Sequence, residues 1–284
     1  MFFTIYFIII FFLSLCLTFT KIPIFDSFSV MKVLFSSIVP LYSKIILIIL
    51  IFILNLIITW ILVLLLFLIC LLIIRIKAHN YNLKKKVLSS FSNLIINFFR
   101  IDIKINKKEN INYDEKIIIY SNHKSLFDPF ILASVLPMNI TFAPKSELYN
   151  GFLGFLLSFC FNTFDCIEIT RNDKRKTVLN IKKNIEKINK KFLSLVIFHE
   201  GGRKNKTNDK IIDSLDGSFK IALKSQSSIL PISIKGSSFI IGKFWFRKKR
   251  IEIFIHPCIH FQDFKEKNTQ EINLIVNNII NSVL

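Results

Sequence analysis

Residues 45–74, IILIILIFILNLIITWILVLLLFLICLLII, pass through 30 positions without a charged side chain. Few folds accept such a stretch. About 20 apolar residues in a helix cross the hydrocarbon layer of a bilayer, and in lipid every backbone N–H and C=O has to be paired within the segment. The stretch therefore predicts a membrane-crossing element over 44–75, either one tilted helix or a tight hairpin. Lys44 stands before it, and Arg75, Lys77, Lys84, Lys85 and Lys86 stand after it. By the positive-inside rule this asymmetry puts the C-terminal flank on the cytoplasmic side of an integral membrane protein. The endoplasmic reticulum or another organelle membrane is the expected compartment. Residues 2–19 form a second apolar run. With no basic n-region and no small-residue cleavage site, residues 1–20 read as a membrane helix or signal anchor rather than a cleaved leader.

The flank at 75–100 carries six basic residues and no acidic one. It reads as a basic amphipathic stretch on an anionic membrane surface, or as an ordinary solvated helix face. Over the whole chain 38 Lys and Arg stand against 19 Asp and Glu, a formal charge of +19. The partner is then anionic, a membrane lipid or a phosphorylated substrate. Nucleic acid is not expected, because no recognisable module presents the basic residues. Cys16, Cys70, Cys160, Cys166 and Cys258 form no C-x-x-C pair, which favours free thiols over a disulfide framework or structural zinc. His256, Cys258 and His260 lack further ligands at metal-site spacing, so no metal is expected.

From residue 76 to 284 short strand-like runs alternate with helical ones. KIIIY, NITFA, DCIEIT, SLVIF, ILPISI and RIEIFI are the expected strands. Helices are expected at 129–136, 146–160, 173–191, 217–226 and 269–283. The alternation predicts one α/β layer domain, with a mixed, largely buried sheet flanked by helices and preceded by N-terminal membrane helices.

Two of the strands run out into polar turns. YSNHKSLFDP, residues 120–129, puts His123 and Asp128 just past an apolar strand, where α/β sheets place their sites. An aspartate accepting from Nδ1–H would leave Nε2 free as a general base. Equally, Asp128–Pro129 is a good helix start, and His123 an ordinary loop residue. SLVIFHEGGRKNK, residues 194–206, ends a second buried strand in Glu200, Gly201, Gly202 and Arg203. Adjacent glycines admit close backbone approach, and a guanidinium grips phosphate bidentately. A Gly-Gly turn with solvated charge has the same composition.

Taken together, the blocks resemble the glycerolipid acyltransferase family that includes 1-acylglycerol-3-phosphate acyltransferases. That family's N-H-x-x-x-x-D block is matched by Asn122, His123 and Asp128. Its F-P-E-G-T-R block is matched in part by Phe198, Glu200, Gly201 and Arg203. Lys145, Glu147 and Leu148 fit a lysine-x-glutamate-leucine run, Arg171 an arginine after a short strand, and Pro231 a proline in an apolar strand. The blocks occur in the family's order over about residues 95–240. His199 stands in place of the family's proline, and Gly202 in place of its threonine.

The resemblance implies transfer of a fatty acyl group from a thioester to the free hydroxyl of lysophosphatidic acid, giving phosphatidic acid. His123 would be the base and Asp128 its orienter. Arg203 would hold the phosphate, with Glu200 and Gly201 shaping its loop, and Lys145 and Arg171 would serve the same anion. Acyl-CoA or an acyl-carrier protein would be co-substrate, with no other cofactor. Glycerol 3-phosphate or another lysophospholipid as acceptor is the alternative. A rival from another class is a non-catalytic membrane protein that binds acidic lipids.

Overall fold

A computed structural model of the chain describes residues 2–19, 40–77, 80–111, 115–169, 185–186, 188–190, 193–203, 207–240, 244 and 247–284. The chain divides into two compact units between Ile73 and Ile74.

The first unit is helical. α1 (Phe2–Phe19) and α2 (Leu41–Ile76) pack antiparallel through aromatic pairs. Phe3 meets Phe67 at 5.8 Å between ring centroids, Phe7 meets Trp60 at 5.3 Å and Phe11 meets Phe52 at 5.6 Å. α2 is one continuous helix of 36 residues rather than a hairpin, about 54 Å long at 1.5 Å per residue. It is long and apolar enough to cross a membrane. Two of its polar side chains are satisfied within the helix. Asn55 Nδ2 donates to the Ile51 carbonyl at 2.9 Å and Thr59 Oγ1 to the Asn55 carbonyl at 2.8 Å. Ile, Leu and Phe make up most of its exposed surface.

The second unit opens with α3 (Tyr81–Phe98), capped where Asn80 Oδ1 accepts the Leu83 N–H. Its apolar face packs into the domain. Phe91, Leu94 and Ile96 are buried, and Lys84 is 2.5 Å from Asp165. Lys85 donates to the Pro137 carbonyl. The lysines that look free in the sequence are partly spent on the domain, whose core needs the same helix.

Six strands follow, interleaved with helices: β1 (Ile101–Asn106), β2 (Ile117–Ser121), α4 (Asp128–Val135), β3 (Ile140–Phe142), α5 (Gly151–Thr163), β4 (Ser194–Phe198), α6 (Lys220–Ser225), β5 (Ser228–Lys235), β6 (Lys249–Ile255), the short α7 (Phe261–Phe264) and α8 (Thr269–Asn281). The sheet order is β1-β6-β5-β2-β4-β3. β5, β2, β4 and β3 run parallel, and β6 is antiparallel to β5 and parallel to β1. The expected mixed α/β sheet is therefore present.

Alternation along the central strands feeds two cores. Ile117, Ile119, Val196, Leu230 and Ile232 face Ile131 and Leu132 of α4 and Ile96 of α3. Ile118, Tyr120, Leu195, Ile197 and Ile229 face Ala222 of α6 and Val276 and Ile280 of α8. Burial of each such aliphatic side chain contributes about 1.5–3 kcal/mol, enough to hold the register of strands covered on both sides. Pro231 sits inside β5 opposite Tyr120, just before the β6 ladder begins at Ile232. A residue without an N–H is tolerated at such a gap.

β1 is absent from the sequence-based reading, although IDIKIN alternates with period two. Among the described residues of DCIEIT, a single bridge forms, between Ile169 and Lys145. The helix expected at 173–191 lies largely outside the described residues.

Candidate active site

Ser121 at the end of β2 and Phe198 at the end of β4 are paired in the ladder. Whatever follows each strand therefore emerges side by side at the carboxyl edge of the sheet. Asn122 sets the direction of departure. Fully buried, it donates from Nδ2 to the Ile234 carbonyl at 2.8 Å and the Asp209 carbonyl at 3.0 Å, and Oδ1 accepts the Ile234 N–H at 2.8 Å. This extends the β2–β5 pairing one residue past the strand.

His123 then meets Asp128 across the loop, with Nδ1 2.9 Å from Oδ2. The same oxygen accepts the backbone N–H groups of Lys124 and Ser125, each at 2.8 Å. Asp128 is buried and opens α4, with Pro129 in the first turn. Phe127 rather than Asp128 stands in the N-cap place, and the Asp128 carboxylate turns back to the loop, where it holds the imidazole. An Nδ1–H given to a carboxylate leaves the Nε2 lone pair available. The ring stacks on Phe198 at 4.2 Å and 19°, and Phe198 lies parallel to Phe142 at 6.4 Å. The His123 side chain stays 17% exposed, so an outside group can reach it.

Glu200 comes off β4 beside this loop and is spent on it. Oε1 accepts the His123 N–H at 2.7 Å, and Oε2 lies 2.5 Å from Lys124 Nζ. Burial pushes the Glu200 carboxyl up, while Lys124 and the His123 N–H pull it back. Lys124 is wholly buried, a role that nothing in a lone sequence lysine announces. Gly201 turns the chain with φ +65°, a region costly for any residue with a Cβ, and its N–H donates to the Phe198 carbonyl at 3.1 Å. Arg203 lies half-buried on the same turn.

Lys145 follows β3, the strand beyond β4, and so sits at the same edge. It is half-buried, and its neighbour Ser146 donates to the Ile169 carbonyl at 3.0 Å. Glu147 and Leu148 are exposed. Arg171 lies outside the described residues. His199 is 1% exposed, edge-on to Tyr120 and Phe219, with Nε2 2.7 Å from Asn277 Oδ1. Burial drags its imidazole down to about 4, so it stays neutral near pH 7. Burial pushes the Cys166 and Cys258 thiols up to about 11 and about 12, which keeps them protonated.

Comparison with known proteins points the same way. Residues 102–235, from β1 to the end of β5, match the family model described as Acyltransferase. The 1-acyl-sn-glycerol-3-phosphate acyltransferase of Saccharomyces cerevisiae is 25% identical over 173 residues, 61% of this chain and 54% of that protein. Its counterpart from Limnanthes douglasii is 27% identical over 174 residues, 60% of this chain and 59% of that protein. The protein of the same name from Borreliella burgdorferi is 28% identical over 180 residues, 62% of this chain and 69% of that protein. The chain thus spans little more than half the length of the first two of these relatives. Among solved structures, the 1-acyl-sn-glycerophosphate acyltransferase of Thermotoga maritima shares the fold, with a TM-score of 0.58 over 74% of this chain and 80% of that one at 22% identity. Residues 102–235, which carry both the His123–Asp128 pair and the Glu200–Arg203 turn, are the part of the chain that is similar to the Acyltransferase family.

Proposed function

We propose that this chain transfers a fatty acyl group from an acyl thioester to the free hydroxyl of lysophosphatidic acid, giving phosphatidic acid. The observation that carries the reading is the 2.9 Å His123–Asp128 contact on the sheet edge that also receives the 200–203 turn. The acceptor oxygen attacks the thioester carbonyl as His123 Nε2 takes its proton. The C–S bond then breaks, and the imidazolium returns that proton to the departing thiolate, leaving an ester and a free thiol. Asp128 remains a carboxylate throughout and stabilises the imidazolium. General-base catalysis of this kind supplies about 10²- to 10⁴-fold, and positioning of the two substrates adds much of the rest.

Arg203 grips the acceptor phosphate, and Lys145 and Arg171 add positive charge toward the same anion. Acyl-CoA is the donor in this reading, with an acyl-carrier protein as the alternative. α2 spans the bilayer, and the α/β domain stays on the cytoplasmic side of the endoplasmic reticulum or another organelle membrane. Anchored there, the domain takes both lipids laterally from the membrane, while the +19 charge draws phosphate head groups toward it.

The test is the purified chain in lipid nanodiscs with radiolabelled acyl-CoA and a panel of lysophosphatidic acid, glycerol 3-phosphate and other lysophospholipids. Labelled phosphatidic acid is expected. Transfer to another acceptor alone reassigns the head group, and no consumption of thioester with any acceptor sinks the reading.

A further inference from the structure

α8 carries asparagines at 273, 277 and 281, one per turn along one face. All three are committed to the segment that runs from the active-site turn to α6. Asn281 binds both backbone groups of Ile211, accepting its N–H at 2.9 Å and donating to its carbonyl at 3.0 Å, as a neighbouring strand would. The other two belong to a directed chain. His199 Nε2–H donates to Asn277 Oδ1 at 2.7 Å, and Asn277 Nδ2 donates to Ser214 Oγ at 2.8 Å. Ser214 Oγ–H donates to Asn273 Oδ1 at 2.8 Å, and Asn273 Nδ2 donates to Asp216 Oδ1 at 2.5 Å. All four donors point the same way. The chain fixes the His199 tautomer, and no link can invert without orphaning its neighbours.

The backbone reinforces this arrangement. The His199 carbonyl accepts the Leu215 N–H at 2.8 Å. At the other end of the segment the Asp209 carbonyl is held by Asn122, the residue before His123. Residues 209–216 are thus strung between the base of the His123 loop and the last helix.

We propose that α8, acting through Asn277 and His199, positions Glu200 and through it His123, so that His199 is a positioning residue of the active site. A proline at 199 would restrain the turn through its ring. A histidine leaves φ free, and the hydrogen-bond chain supplies the missing restraint. Glu200 is the next residue, and its Oε1 holds the His123 amide. Misplacement of a reacting group by about 1 Å can cost 10²-fold in rate.

The kinetic arm of the test rests on the acyl-transfer reading and uses the full chain in nanodiscs, well below the melting temperature of each variant. His199→Leu and Asn277→Leu each lower kcat about 10- to 100-fold, with the KM for the acyl thioester little changed. The double variant is no slower than the slower single, because both cut the same chain. His199→Gln, whose amide N–H reaches the same acceptor, recovers most of the turnover.

Hydrogen–deuterium exchange gives an arm independent of the reaction. Asn277→Leu speeds exchange across residues 121–128, while residues 229–234 keep wild-type protection. Unchanged exchange at 121–128 in both leucine variants overturns the proposal. So do additive kinetic losses, or a folded His199→Gln no faster than His199→Leu. A wild-type chain without acyl transfer removes the proposed reaction and leaves the exchange arm to decide.

Discussion

Glu200 Oε2 lies 2.5 Å from Lys124 Nζ, and neither side chain is more than 1% exposed. The two residues follow different strands, β4 and β2, so this ion pair is the strut that ties the turn after one to the loop after the other. Buried pairs of this kind add little net stability against apolar substitutes, but removal of one partner leaves an uncompensated charge.

Lys124→Met is therefore expected to destabilise the domain by about 3–5 kcal/mol at neutral pH. The Glu200 carboxyl is already raised by burial, and loss of Lys124 raises it further. Below the raised value the native state binds a proton that the unfolded chain lacks, so the penalty shrinks as pH falls through it. Thermal melts between pH 7 and 5 check this, and a Lys124→Met/Glu200→Gln double variant should remove the Glu200 part of the pH dependence, leaving that of His199 and His256. A single variant as stable as wild type at pH 7 would show that the strut is dispensable.

His123→Ala should lower acyl transfer about 10²- to 10⁴-fold with little effect on the melting temperature, since the ring is partly exposed. Asp128→Asn should lower rate and stability together, because Asp128 Oδ2 also anchors two backbone N–H groups. Labelled acyl-CoA incorporation and thermal melts separate the two, and near-normal turnover by His123→Ala excludes it as the base.

For Arg203→Ala the expected loss is in acceptor binding. A charged hydrogen-bond donor to phosphate is worth about 1.5–3 kcal/mol, so the KM for lysophosphatidic acid should rise about 10- to 100-fold while that for acyl-CoA holds. Arg203→Lys should recover only part of this, since an ammonium lacks the planar fork. An unchanged acceptor KM in Arg203→Ala disproves the phosphate clamp.

His199 predicts a loss of stability in acid. Its folded value of about 4 lies below the ordinary 6.5, so between these pH values the unfolded chain takes up a proton that the native state refuses. Stability is then fully present above pH 6.5 and falls on acidification, by about 3 kcal/mol at most for this shift. His199→Gln should flatten the melting curve against pH over that window, leaving the contributions of His256, whose imidazole burial also lowers, and of Glu200, whose carboxyl burial raises. An identical slope in the variant would place His199 in a solvated site.

Much of this was legible in the residues. The strands at 117–121, 194–198 and 228–235 are unbroken branched apolar runs, and such runs have few fates besides burial between two layers. His123 and Asp128 could be paired from their spacing because five residues close a turn. β1 was missed because a half-buried edge strand that alternates within a basic, polar stretch gives a weak signal. The basic segment 75–100 leaves two readings open, a membrane surface or a solvated helix face, for a related reason. Amphipathicity tells that one face must be covered but not by what, and here α4 and the sheet cover it.

By itself, then, the order of residues determined which segments leave water and which side chains carry protons, because hydropathy and acid–base chemistry belong to each residue. Only the tertiary structure decided that Glu200 would hold Lys124 and the His123 amide, and that Asn277, 78 positions from His199, would brace the turn. Such partners meet because parallel strands bring distant loops to one edge, and a buried polar atom must take whatever donor or acceptor the packing brings within reach.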